Sequence, residues 1–107
     1  METKAVLTAL AALAQESRLA VFRLLVQAGP AGLAASKIAE HLAIAPSSLS
    51  FHLKELSRAG LLASKQDGRI VIYMANVDAM NGLIGFLTEN CCGGLPCGVP
   101  TPLKNCS

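Results

Sequence analysis

At 107 residues and 11.1 kDa the chain has room for one small domain, which excludes a multidomain machine and a large cofactor-binding fold. Hydrophobic residues make up 52% of it at a mean hydropathy of +0.49, yet they are mostly alanine and leucine broken by charge, and no stretch approaches the ~18 to 20 apolar residues of a membrane span. A net charge of +2 neither requires nor excludes a nucleic-acid partner, and with 4% aromatics and no Trp a core made from one copy is thin, so a second copy would supply the missing burial.

Val6, Leu7, Leu10 and Leu13 recur at helical spacing and predict a first helix. Lys4 and the apolar run Ala5 to Ala14 imitate a signal peptide, but Glu2 spoils the basic segment and the apolar period runs on into the next helix. The expectation is therefore a cytoplasmic protein. Leu19, Phe22, Leu25 and Val26 predict a second helix, capped by Ser17 and stopped by Gly29-Pro30. After a turn at Gly29 to Gly32, Ser36 is expected to cap a short third helix with Ile38 and Leu42 on one face. Pro46 suits the first turn of a fourth helix that runs to Ala59-Gly60. Lys65-Gln66-Asp67-Gly68-Arg69 separates a short strand from the β-rich Ile70-Val71-Ile72-Tyr73, and Asp67-Gly68 between apolar runs predicts a hairpin. Val77, Met80, Leu83, Ile84 and Leu87 return to the helical period in a last helix ending near Asn90. Gly93-Gly94, Pro96, Gly98, Pro100 and Pro102 then forbid any further helix. The predicted class is mainly α with a small β-hairpin, in the order of a winged helix-turn-helix. Residues 1–90 form the DNA-binding and dimerisation domain in this reading, and residues 91–107 a cysteine-rich tail.

On the fourth helix Leu49, Leu53 and Leu56 share one face at about 100° per residue and must point inward. The opposite face carries Ser47, Phe51, Lys54 and Arg58, with Ser48 and Ser50 beside them. Small hydroxyls near the N-terminus, then an aromatic, then cations fit a helix inserted into the major groove, with bases read near its start and phosphates held further along. An ordinary solvated face accounts for the serines and a lysine but not for an exposed Phe51. His52 lies nearer the apolar side, where packing or phosphate positioning suits it better than base readout. In the hairpin, Lys65 and Arg69 flank the turn and could follow phosphates or enter the minor groove. A solvated hairpin tip has the same composition. Residues 36–74 hold five Lys and Arg against three acids, so the positive charge sits in the middle of the chain.

The run from Ser47 to Leu62, SSLSFHLKELSRAGLL, resembles the S-x-H-L-x-x-L-x-x-A-G-L signature of the ArsR family of metal- and metalloid-sensing repressors. Glu16-Ser17-Arg18-Leu19, Gly68-Arg69 and Tyr73 stand where that family has an arginine-bearing second helix and a wing. The resemblance covers roughly residues 4–90. It implies a homodimer joined through the first and last helices, bound to palindromic double-stranded operator DNA and released by an inducer. Gly82 and Gly85 would allow close helix approach at such an interface, though each weakens the helix.

All four cysteines, Cys91, Cys92, Cys97 and Cys106, fall in the final 17 residues. A disulfide-stapled domain would spread them through its body. Trivalent arsenic or antimony forms pyramidal complexes with three sulfurs, and Cys91, Cys92 and Cys97 can converge across Gly93-Gly94. Cys106 lies beyond two prolines and is the weaker candidate. Zinc would want a tetrahedron from wider-spaced pairs, with no histidine near. A redox-active thiol tail is the plain alternative. The family's C-V-C arsenic site would fall on Ala34-Ala35-Ser36, so both cysteine slots are empty, and its zinc ligands on the last helix are missing too. The adjacent pair followed by a third cysteine instead resembles the subgroup whose arsenic site follows the last helix.

The expectation is an arsenite-responsive repressor with trivalent arsenic as inducer, no organic cofactor and no catalytic residues. Methylarsenite, cadmium, zinc or thiol oxidation are the alternative signals on the same DNA-binding protein. A thiol enzyme would need an activated cysteine in an anion-binding loop, and no basic residue lies between Glu89 and Lys104. Metal storage without DNA binding is the remaining class.

Overall fold

The computed structural model describes residues 1–89, so Cys91, Cys92, Cys97 and Cys106 and the expected boundary at residue 90 lie outside the described residues. Five helices and a three-stranded sheet follow in the order α1 (Thr3–Leu13), α2 (Glu16–Ala28), β1 (Leu33–Ala34), α3 (Ala35–Leu42), α4 (Pro46–Arg58), β2 (Leu62–Asp67), β3 (Ile70–Ala75) and α5 (Val77–Leu87). A short 3-10 turn, Gly29–Ala31, links α2 to β1. This is the winged helix-turn-helix that the sequence predicts, with α3 and α4 as the helix pair and β2-β3 as the wing.

The core gathers one stripe from each helix. Val21, Leu25, Ile38, Leu49, Leu56 and Leu61 are its most deeply buried large side chains, joined by Val6, Ala9, Phe22, Leu53 and Leu83. Each stripe recurs every three or four residues, as a helix half-immersed in a core requires. Because α4 gives the core only Leu49, Leu53 and Leu56, its other side is left to solvent.

Three expectations about helix ends need correction. Ser17 does not cap α2, because the helix starts one residue earlier and Gln15 accepts from the Arg18 N–H through its side chain at 2.9 Å. Ser36 does not cap α3, because Ala34 is still paired to Ile72 in the sheet and the helix begins at Ala35. The last helix stops at Leu87 rather than near Asn90. The wing turn is also tighter than expected: Gln66 and Asp67 pair with Val71 and Ile70, leaving only Gly68-Arg69 between the strands. Gly68 has φ +65°, which suits the first position of a II′ turn.

The strand β1 is an addition, with the sheet ordered β1-β3-β2. It pairs antiparallel with β3 at Leu33 and Tyr73. Gly32 makes this possible, since a Cβ at that position would fall on the Tyr73 carbonyl oxygen and lie 2.8 Å from Ile72 Cγ2.

The apolar periods of α1 and α5 hold, but not all of their leucines turn inward. Leu7, Leu10, Ile84 and Leu87 are exposed, the last at 58%. On α2, Leu19 and Val26 are exposed as well. Small Ala9 and Ala12 fill the inward side of α1 instead, and α1 packs against α2, α4 and α5.

Candidate nucleic-acid interface

Pro46 opens α4 at a position where its missing N–H is not needed. The residue before the helix, Ala45, offers no side-chain cap, so the first-turn N–H groups beside Ser47 and Ser48 remain available to an outside acceptor. The far end closes differently. Gly60 at φ +80° donates to Ser57 O at 3.0 Å and Leu61 donates to Leu56 O at 3.0 Å, a Schellman pair that stops the helix and buries Leu61 against the core.

Between these ends the solvent face of α4 carries Ser47, Ser48, Ser50, Phe51, Lys54 and Arg58, all exposed. Ser47, Phe51, Lys54 and Arg58 line up over about 16 Å at 1.5 Å per residue. Arg58 Nη1 lies 3.3 Å from Glu55 Oε2, so this cation is partly neutralised on its own helix while Lys54 is in no ion pair among the described residues. Phe51 is 54% exposed, an unusual place for an aromatic with no partner surface in view.

Phe51 and His52 are not simply displayed on the helix; Arg18 of α2 holds both. Its guanidinium carbon stands 5.4 Å from the centre of the Phe51 ring, within cation-π range. Its Nε donates to His52 Nδ1 at 3.3 Å, and the Phe51 and His52 rings meet edge on at 6.0 Å. His52 is half-buried, on the side of the helix that the sequence indicates. Sequence reasoning quoted Arg18 only within a motif and gave it no role. A usable signal existed: Arg18 shares a stripe with Val21, Phe22 and Leu25, and a cation on an otherwise inward-facing stripe calls for a partner on the neighbouring helix.

Lys65 sits in β2 opposite Ile72 and Arg69 in the wing turn, both exposed. The structure thus brings the α4 set onto one face and puts Lys65 and Arg69 on a separate element. Asn76, also missed, joins the wing to α4: its Nδ2 donates to Gly60 O at 3.0 Å, its N–H to Leu61 O at 2.8 Å, and its Oδ1 accepts from Ala79 N at 3.2 Å to cap α5. Among the described residues no three His, Cys, Asp or Glu side chains come together to hold a metal ion, and no single helix is long and apolar enough to cross a membrane.

A helix-turn-helix domain family matches residues 13–65, from the end of α1 into the wing. No curated protein matches the chain. Among solved structures, the chain is similar to the transcriptional regulator HlyU from Vibrio vulnificus CMCP6, with 30% identity, 76% of this chain and 84% of that one covered, and a TM-score of 0.56. An ArsR-like transcriptional regulator from Rhodococcus sp. RHA1 matches at 28% identity over 78% of this chain and 76% of that one, with a TM-score of 0.70. The homodimeric winged helix-turn-helix DNA-binding domain of a possible ArsR-family regulator from Mycobacterium bovis shares the fold at 24% identity, 81% of each chain and a TM-score of 0.66. With an exposed polar face on α4, a β2-β3 wing and these neighbours, the chain belongs to the winged helix-turn-helix transcriptional regulators and is similar to the ArsR-like ones among them.

Proposed function

We propose that this regulator is an arsenite-responsive repressor, a homodimer that holds operator DNA and lets it go when thiolates of its tail bind trivalent arsenic or antimony. The observation that carries the DNA-binding part is the exposed face of α4, where Ser47, Ser48 and Ser50 precede Phe51, Lys54 and Arg58. The serines and Phe51 read base edges, His52 and the cations hold phosphates, and Lys65 and Arg69 of the wing follow the backbone alongside.

Dimerisation through α1 and α5 is supported by the apolar side chains these two packed helices leave exposed, Leu7, Leu10, Ile84 and Leu87, and by the homodimeric state of the Mycobacterium bovis domain. The dimer sets two copies of α4 about 34 Å apart, one turn of DNA.

The sensing part rests on the donor set. Cys91, Cys92 and Cys97 begin four residues after the end of α5, and they are soft thiolate donors in a chain whose first ninety residues hold no cysteine. Three thiolates fit the pyramidal preference of trivalent arsenic; neutral or acidic oxygen donors, as on Asp78 and Glu89, do not. Bound arsenic would supply a covalent tie among the thiols next to the dimer helix. The tie biases α5, and through Asn76 the end of α4, away from the DNA-bound geometry. Thiol titration of purified protein with and without arsenite tests the ligand set: three thiols per chain become protected, and Cys97→Ser leaves two. Protection of all four would bring in Cys106, and protection of none would refute the sensor. A Cys97→Ser protein that still responds, and responds best to methylarsenite, would favour the two-thiol alternative.

A further inference from the structure

Arg18 makes two side-chain contacts to α4, and neither is an ion pair. The ring nitrogen Nδ1 of His52 accepts from Arg18 Nε, and an imidazole that accepts at Nδ1 carries its proton on Nε2. The Nε2–H has no hydrogen-bond partner among the described residues, and it is not a buried unpaired atom, so it reaches solvent. Half-buried His52 therefore presents a single oriented donor at the edge of the face that carries Phe51 and Lys54. The same guanidinium stands over the exposed Phe51 ring.

We propose that Arg18 is the positioning residue of the reading face: it locks His52 in the Nε2–H tautomer, so that this N–H donates to a DNA backbone phosphate, while its guanidinium braces the Phe51 ring beside that phosphate. The inference rests on the DNA-binding reading above and adds to it a residue from outside the recognition helix. A neutral oriented donor fixes register on the backbone without reading sequence, and it sets where Phe51 meets the bases. Arg18 acts within the protein, through its Nε–H and its planar guanidinium, rather than as a charge placed on the DNA. Lysine has neither, so it is not a substitute here.

Two measurements on the full chain separate this inference from the reading it rests on. Nitrogen-15 chemical shifts of the free protein report the His52 tautomer with no DNA present: the Nε2–H form is expected in the wild type and a tautomer mixture in Arg18→Gln. An Nδ1–H form in the wild type overturns the proposal. For binding, the probe is the duplex that wild-type protein selects from a random-sequence library. Arg18→Gln and Arg18→Lys should each weaken binding about three- to tenfold, the loss of one net hydrogen bond, with the slope of log affinity against log salt unchanged. His52→Asn, which keeps an acceptor near Nδ1 but no donor near Nε2, should lose the same amount, and His52→Gln, which restores an N–H there, should recover it. The double variant Arg18→Gln with His52→Asn should be no weaker than either single one. A salt slope that falls by about 0.9 in Arg18→Gln makes Arg18 a phosphate contact itself and contradicts the proposal. Full binding by Arg18→Lys does so too, since charge alone then suffices. A wild-type protein that selects no duplex contradicts the DNA-binding reading instead, while the tautomer still decides the link between Arg18 and His52.

Discussion

Ala43, between α3 and α4, stands at φ 53° and ψ 45°, the left-handed region that an L side chain enters at a cost of ~1 to 2 kcal/mol. The turn of a helix-turn-helix needs that conformation to swing α4 across α3, and Ile44 N donates back to Ala39 O at 3.1 Å to hold it. Ala43→Gly relieves the strain and gives back part of the gain through a more flexible unfolded chain, so stability should rise by about 0.5 to 1 kcal/mol in urea unfolding. Phe51 should show the opposite profile. Its ring is mostly outside the core, so Phe51→Ala should change stability by less than about 1 kcal/mol while weakening DNA binding, most at base pairs that present a thymine methyl. Equal losses of stability and binding would mean that Phe51 is a packing residue. At this scale the sequence was readable where a period decides: Leu49, Leu53 and Leu56 inward, Phe51 outward. It was not readable where a contact spans thirty-four residues, as between Arg18 and His52, because no local spacing encodes a tertiary partner.

Among the elements, α4 is the one most firmly bounded, by Pro46 at its start and by Gly60 and Asn76 at its end. Asn76 both caps α5 and ties it to the last turn of α4, so Asn76→Ala should cost about 1 to 2 kcal/mol, from a lost cap and a lost hydrogen bond. If α5 carries the signal, the same variant should also retain operator DNA in arsenite better than the wild type, which a purely structural cap would not do. Gly32→Ala should be harsher, since a Cβ there meets Tyr73 and Ile72 on β3 at positive φ, and its thermal melt should fall well below that of Gly29→Ala, where space is open. The elements themselves were legible from apolar periods, from Pro46 and from Asp67-Gly68. Their ends were less so. Ser17 and Ser36 have the right chemistry for caps, but sheet pairing at Ala34 and the Gln15 side chain took those roles. The two-residue β1 is too short to show alternation, and only its pairing to β3 defines it.

For the whole molecule, the apolar surface of α1 and α5 is the quantity that composition foreshadowed. Periodicity marks Leu7, Leu10, Ile84 and Leu87 as one apolar set with Val6 and Leu83, yet it cannot say which of them meet the chain's own core and which a second copy. Leu7→Glu combined with Ile84→Glu should leave a folded monomer in sedimentation equilibrium, with operator affinity reduced by orders of magnitude because the second half-site is lost. A dimer that survives both substitutions would place the interface elsewhere. The sensing function rests on the donor chemistry of Cys91, Cys92 and Cys97. Allosteric coupling is typically ~1 to 3 kcal/mol, and a near-complete switch needs about 5.5 kcal/mol. The most direct test is fluorescence anisotropy of the selected operator duplex, bound by the full-length protein under reducing conditions and titrated with arsenite. Release near stoichiometric arsenite, abolished in Cys92→Ser although that variant still binds DNA, is the predicted result; an unchanged complex at saturating arsenite, or equal release from Cys92→Ser, would contradict it.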